Sequence, residues 1–138
     1  MARARLPFEF IVAGVPLSDL SDNDPARERW RRQVKAAAAA EWPRGAKPIV
    51  SPVSAVIAYF HAGDSDLDVD NIPKLILDAL KGLTYVDDRQ IEQLTIRRTR
   101  VVPGEVLTAG SLLIAGDTEI VPPFVYIRLD QPPNHAEL

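Results

Sequence analysis

The sequence predicts a small single α/β domain, with a mixed sheet and two main helices. Three observations predict it. Strand patterning marks four apolar segments, at about 6–13, 53–61, 90–101 and 124–129, and helical spacing of apolar residues marks two more, at about 25–42 and 72–81. The two kinds largely alternate along the chain, as they do when helices pack on a sheet. A length of 138 residues with no internal repeat suits one domain with one core. It is small for a protein that must grip a large substrate alone, so a symmetric dimer fits.

Composition removes several classes. There is no cysteine, which excludes disulfide frameworks and zinc fingers. No apolar run approaches the roughly eighteen residues of a membrane span. The opening Met1-Ala2-Arg3-Ala4-Arg5 leads into an apolar run broken by Glu9, too poor for a signal peptide. The expected location is cytoplasmic.

The first strand, Leu6 to Ala13, puts Phe8, Phe10 and Val12 on one face and Ile11 on the other. Residues 14–23 form a loop rich in Asp, Ser and Pro. A helix then runs from about Pro25 to Trp42, with Asp24 as N-cap and Pro43 as terminator. Trp30, Val34, Ala37 and Ala38 share its core-facing side, and the alanine run from Ala36 to Ala40 favours helix and close packing. Arg27, Arg31 and Lys35 form an i, i+4, i+8 stripe. On most surface helices such a stripe is a solvated face; beside a site for an anionic substrate it becomes a set of phosphate contacts.

After a loop at 44–52, Val53 to His61 is apolar on both faces and therefore expected at the centre of the sheet. His61 is expected to make a structural hydrogen bond at the strand end. The strand delivers the chain into Asp64–Asp88, which holds seven of the nineteen carboxylates but only two of the sixteen Lys and Arg residues. Asp64, Asp66, Asp68 and Asp70 fall at every second position, so an extended segment would put them on one side about 6–7 Å apart. Like charges so placed call for a cation. Asn71 and Pro73 then signal a helix start, and Ile72, Leu75, Ile76, Ala79 and Leu80 mark its buried face. Lys74 and Asp78 lie off that face.

Gly82 stops this helix. A ten-residue helix is about 15 Å long, and residues 82–86, if extended, cover about 17 Å. Asp87 and Asp88 can thus return beside Asp68 and Asp70. Oxygen donors without Cys or a His cluster favour Mg²⁺ or Mn²⁺ over zinc. A solvated N-capping loop is the plain alternative. An EF-hand fails in either register, because Val69 or Asn71 stands where glycine is required and Leu75 or Leu77 where the terminal Glu is required.

Residues Gln90 to Val101 form a further strand, with Arg98 and Arg100 on one face near its end and Arg97 on the other. That pair can meet DNA or protect an edge. Within 103–123, Glu105 to Ala115 has weak helical spacing; Phe124 to Leu129 is a last strand. Residues 1–5 and 131–138 are expected to be flexible. The net charge of −3 argues against nucleic-acid binding, but outside residues 62–88 fourteen Lys and Arg outnumber twelve Asp and Glu. Distribution outweighs the sum.

Asp68-Val69-Asp70-Asn71-Ile72-Pro73-Lys74, Asp78-Ala79-Leu80 and Asp87-Asp88 followed by Gln90-Ile91 together resemble the RusA family of Holliday junction endodeoxyribonucleases. The likeness covers roughly residues 53–98 well and the rest in outline. It implies a small α/β homodimer that cuts branched DNA with Mg²⁺ during recombination and repair. It further implies that Asp68, Asp70 and Asp88 hold the metal and activate water, and that Lys74 is the essential basic residue. The linker before the Asp pair is slightly short for the family, which leaves Asp87 open against Asp88. Arg27, Arg31, Lys35, Arg98 and Arg100 are the candidate DNA contacts. Two other readings stand beside this one: a nuclease for other branched or invading DNA, and a non-catalytic module that binds DNA structure.

Overall fold

A computed structural model describes residues 3–101 and 121–134. The first strand, β1 (Phe8–Ala13), precedes a long helix, α1 (Asp24–Glu41), and a second strand, β2 (Val53–His61). A short helix, α2 (Pro73–Leu80), leads to β3 (Ile91–Arg100), and β4 (Phe124–Asp130) ends the described fold. The four strands form one sheet in the order β1-β4-β2-β3. β4 runs antiparallel to both neighbours, while β2 and β3 are parallel, so the sheet is mixed. The chain crosses from β2 to β3 through the acidic loop and α2, as a parallel pair requires.

Strand alternation sorts the side chains to two faces. Val53, Ala55, Ile57 and Tyr59 of β2 are buried with Val125, Ile127 and Leu129 of β4. All but Val53 form one cluster with Phe8, Phe10 and Val12 of β1, Trp30, Val34 and Ala38 of α1, and the apolar side of α2. The opposite parity, Ala58 and Phe60 of β2 with Phe124 and Tyr126 of β4, makes a second cluster on the other face. There Phe60 and Phe124 stack with centroids 4.9 Å apart. Burial on both faces makes β2 the inner strand that its sequence predicts.

On α2, Ile72, Leu75, Ile76 and Leu80 are fully buried and Ala79 nearly so, as their spacing requires. Each large apolar side chain removed from water there contributes about 1.5–3 kcal/mol. Trp30, Val34 and Ala38 are likewise the buried residues of α1. Three local expectations are corrected. α1 is capped by Asn23, whose side chain accepts from the N–H of Ala26 at 3.0 Å, and Asp24 lies within the first turn instead. Asn is as good a cap as Asp, and the preceding loop sets which of the two holds the extended conformation. Asn71 does not cap α2, because a 3₁₀ turn over Val69–Asn71 runs into the helix with Ile72 already in helical conformation. That turn also ends the extended run of aspartates after Asp68, so Asp70 does not continue the alternation. The expected helix at Glu105–Ala115 lies outside the described residues.

Asn23→Ala is expected to lower stability by about 1 kcal/mol. Asp24→Ala is expected to cost only a few tenths through the helix dipole. Urea midpoints of the two variants check the assignment; equal losses would argue against Asn23 as the cap.

Candidate functional site

The acidic loop is pinned at both ends by main-chain acceptors. His61 is buried, and its Nδ1 lies 2.5 Å from the carbonyl of Gly63. A carbonyl only accepts, so Nδ1 carries the proton, and the histidine has the structural role expected of it. Arg98 of β3 reaches back under the loop and donates to the carbonyl of Leu67 at 2.5 Å and of Ser65 at 3.5 Å. At the far end the carbonyl of Asn71 accepts from the N–H of Asp19. That segment is held in turn by Arg27, which donates to the carbonyls of Asp19 at 2.6 Å and Ser21 at 2.9 Å.

Arg27 and Arg98, both expected to face DNA, are thus engaged on the loops that frame the acidic stretch. Arg100 stands 3.6 Å from Asp64, but both side chains are largely exposed and the pair contributes little.

The exit of α2 is organised differently. Gly82 takes a φ of +90°, where a side chain would be strained, and turns the chain beneath the helix. Tyr85 is then fully buried, with its hydroxyl 2.7 Å from the carbonyl of Leu77 and 3.2 Å from Oδ1 of Asp88. Burial first, and the Asp88 charge second, push the tyrosine far above its ordinary pKa, so it stays a neutral donor. Its one proton faces two acceptors and ties Asp88 to the last turn of α2.

Asp87 and Gln90 form a reciprocal capping box on the 3₁₀ turn Asp88–Gln90. The N–H of Arg89 donates to Asp87 and holds that carboxyl below its usual range. The two neighbouring aspartates therefore differ: Asp87 closes a turn, whereas Asp88 lines a groove.

That groove, of about 370 Å³, is bounded by Pro73, Lys74, Leu77 and Asp78 of α2 and by Asp88, Ile91 and Leu94. The chain has returned from the end of α2 to its first turn, but Asp88 meets Lys74 there and not the Asp68 and Asp70 that the length argument allowed it to join. Lys74 is exposed and makes no ion pair among the described residues, with Asp78 or any other carboxylate. Asp68 and Asp70 stand exposed on the turn before α2 and do not line the groove. Among the described residues no three Asp, Glu, His or Cys side chains are close enough to hold a metal ion. The donors have the right chemistry for a hard divalent cation but do not form a ready cage.

On the other side of Asp78 lies a second groove of about 240 Å³, lined by Glu28, Arg31, Arg32 and Lys35 of α1 and by Asp78, Ala79 and Lys81. Arg31 and Lys35 of the predicted stripe are here; Arg27 is not. Tyr85 has no motif-level signal, since a buried aromatic reads as core. Gln90 was visible as the fourth residue of an Asp-x-x-Gln capping box.

A carboxylate and an unpaired ammonium in one groove, with cations across a shared ridge, suit an enzyme that works on a polyanion. The chain belongs to the endodeoxyribonuclease RusA family, whose sequence model matches residues 22–106, more than half of the chain. Members of that family resolve Holliday junctions, so the resemblance carried by the Asp-x-Asp-Asn, Lys and Asp-Asp residues is confirmed at the family level. No curated protein matches the chain in sequence. No helix among the described residues is long and apolar enough to cross a membrane.

Gln90 makes the most testable contribution to this geometry. Its Oε1 accepts from the N–H groups of Val86 and Asp87, and its Nε2 donates to the carbonyls of Ile49 and Ser51. Gln90→Ala is expected to cost about 1–3 kcal/mol in urea unfolding, because it leaves several main-chain groups without partners. A loss below about 0.5 kcal/mol would mean that water replaces the side chain.

Proposed function

We propose that this protein is a structure-specific endonuclease that cuts four-way DNA junctions in recombination and repair, using Mg²⁺ or Mn²⁺ and acting as a homodimer. The observation that carries the reading is the groove shared by Lys74 and Asp88, at the place where the family motif puts its basic and acidic groups. Asp68, Asp70 and Asp88 are the oxygen donors for the cation. They are not gathered into one cluster among the described residues.

The chain's own contribution is electrostatic. Hydrolysis of a phosphodiester places growing negative charge on the phosphoryl oxygens, and a preorganised ammonium beside them is worth more in the transition state than in the ground state. Lys74 has that position, on the first turn of α2 and off its buried side. Asp88, steadied by Tyr85, is the carboxylate held in the same groove. Two copies about a two-fold axis would present two such grooves for paired cuts.

A second reading, a non-catalytic module that binds DNA structure, is favoured by the separation of Asp68 and Asp70 from Asp88. Incubating a labelled four-way junction with Mg²⁺, Mn²⁺ or Ca²⁺ separates the two, since only the first reading gives cut products. Forks and flaps in the same panel fix the preferred branch.

Two substitutions test the roles. Asp70→Asn is expected to abolish cleavage while preserving or tightening junction binding, since it removes a negative charge at nearly constant volume; wild-type cutting by the variant would remove Asp70 from the site. Lys74→Ala is expected to keep its melting temperature and to lose about a hundredfold or more in turnover. A variant that unfolds, while its folded fraction cuts normally, would make the lysine structural.

A further inference from the structure

The groove between α1 and α2 has no part in the reading above. Four cations converge on it, Arg31, Arg32 and Lys35 from α1 and Lys81 from the end of α2, against two carboxylates, Glu28 and Asp78. Arg31 is partnered by Glu28 at 3.0 Å. Arg32, Lys35 and Lys81 are exposed and form no ion pair among the described residues. Three unpaired cations from two helices around one concavity leave an excess of positive charge that a single surface stripe would not concentrate.

The plain account of Lys81 is a cation at the C-terminal end of a helix, favourable by a few tenths of a kcal/mol. That account does not explain why Arg32 and Lys35 face the same concavity from the neighbouring helix. The common requirement of all three is an anion.

The position of the groove gives the anion a place on the substrate. Asp78 borders both grooves, so the cationic one adjoins that of Lys74 and Asp88 across a single side chain. Lys74 is on the first turn of α2 and Lys81 caps its end seven residues on, about 10 Å along the axis at 1.5 Å per residue. A strand winds around the duplex axis, so its successive phosphates lie roughly twice as far apart as the axial rise of about 3.4 Å, and that separation corresponds to about one or two nucleotides. We propose that Arg32, Lys35 and Lys81 form a seat for a backbone phosphate of the DNA strand being cut, about one or two nucleotides from the phosphate at Lys74. The seat rests on the nuclease reading for its register, but not for its affinity.

The test uses the full chain and a four-way junction carrying one neutral methylphosphonate linkage, moved one nucleotide at a time away from the cut. Binding is measured in EDTA with wild type and with the Arg32→Gln, Lys81→Gln double variant, which keeps much of each apolar stem. In wild type, the neutral linkage is expected to weaken binding five- to tenfold at one or two nucleotides from the cut and little elsewhere. In the double variant the same linkage is expected to have no further effect, and the slope of log K against log salt is expected to fall by about 0.9, the value for one lost phosphate contact. An unchanged slope, or a linkage effect of equal size in both proteins, overturns the seat. If wild type cuts no junction with any metal, the nuclease reading fails, while the salt slope in EDTA still decides for or against the seat.

Discussion

The burial of one side of α2 is the constraint on which the rest depends. Its eight residues must set Leu75, Ile76 and Leu80 against the sheet and α1, because these and Ile72 just before them are sealed from water. That requirement fixes the axis of the helix, and with it the two points where the chain enters and leaves. Entry is the turn bearing Asp68 and Asp70; exit, through Gly82 and Tyr85, is the turn bearing Asp87 and Asp88. The side that cannot be buried carries Lys74 and Asp78. The candidate site is the solvent side of a core helix, tied to the core at Asp88 through Tyr85 and exposed at Asp68 and Asp70.

Tyr85 connects the two. Its ring is part of the main apolar cluster, and its hydroxyl is the point where that cluster touches Asp88. A hydroxyl buried this deeply needs an acceptor, and it has the carbonyl of Leu77 as well as the carboxylate. Core packing therefore sets where the Asp88 carboxylate stands. Asp87 has no such link, and its carboxylate is engaged by the backbone of the next turn. Two adjacent aspartates, identical in composition, are assigned different physical tasks by a single turn of 3₁₀ helix.

Much of this was legible in the sequence because periodicity reports burial directly. The inner strand Val53–His61, the buried face of α2 and the core side of α1 all follow from spacing. What was not legible depends on long-range main-chain contacts. Arg27 and Lys35 look alike in a helical stripe, yet Arg27 lies beside the carbonyls of Asp19 and Ser21 and Lys35 beside a groove. Arg98 and Arg100 look alike on one face of a strand end, yet Arg98 donates to the loop carbonyls of Ser65 and Leu67. The alternating aspartates misled for a local reason: alternation defines a common side only while the chain is extended, and Pro73 at the start of a helix draws the preceding residues into a tight turn.

The same placement resolves the conflict between a net charge of −3 and a polyanionic substrate. A field that repels phosphate overall can still admit it where charges are segregated on the scale of the Debye length, about 8–10 Å in physiological salt. Here the two grooves beside α2 differ in their balance of sign: Lys74 meets Asp78 and Asp88 in one, whereas Arg31, Arg32, Lys35 and Lys81 outnumber Glu28 and Asp78 in the other. The cations are on elements fixed by the core, and so their spacing is fixed too, which a flexible basic tail would not achieve. Such an arrangement favours an anion that approaches along one line, passing the cations before it meets the carboxylates. A DNA strand is an anion of that shape, whereas a small phosphate ester is not. The charge pattern of the folded chain therefore points to the polymer, although its composition alone argued against it.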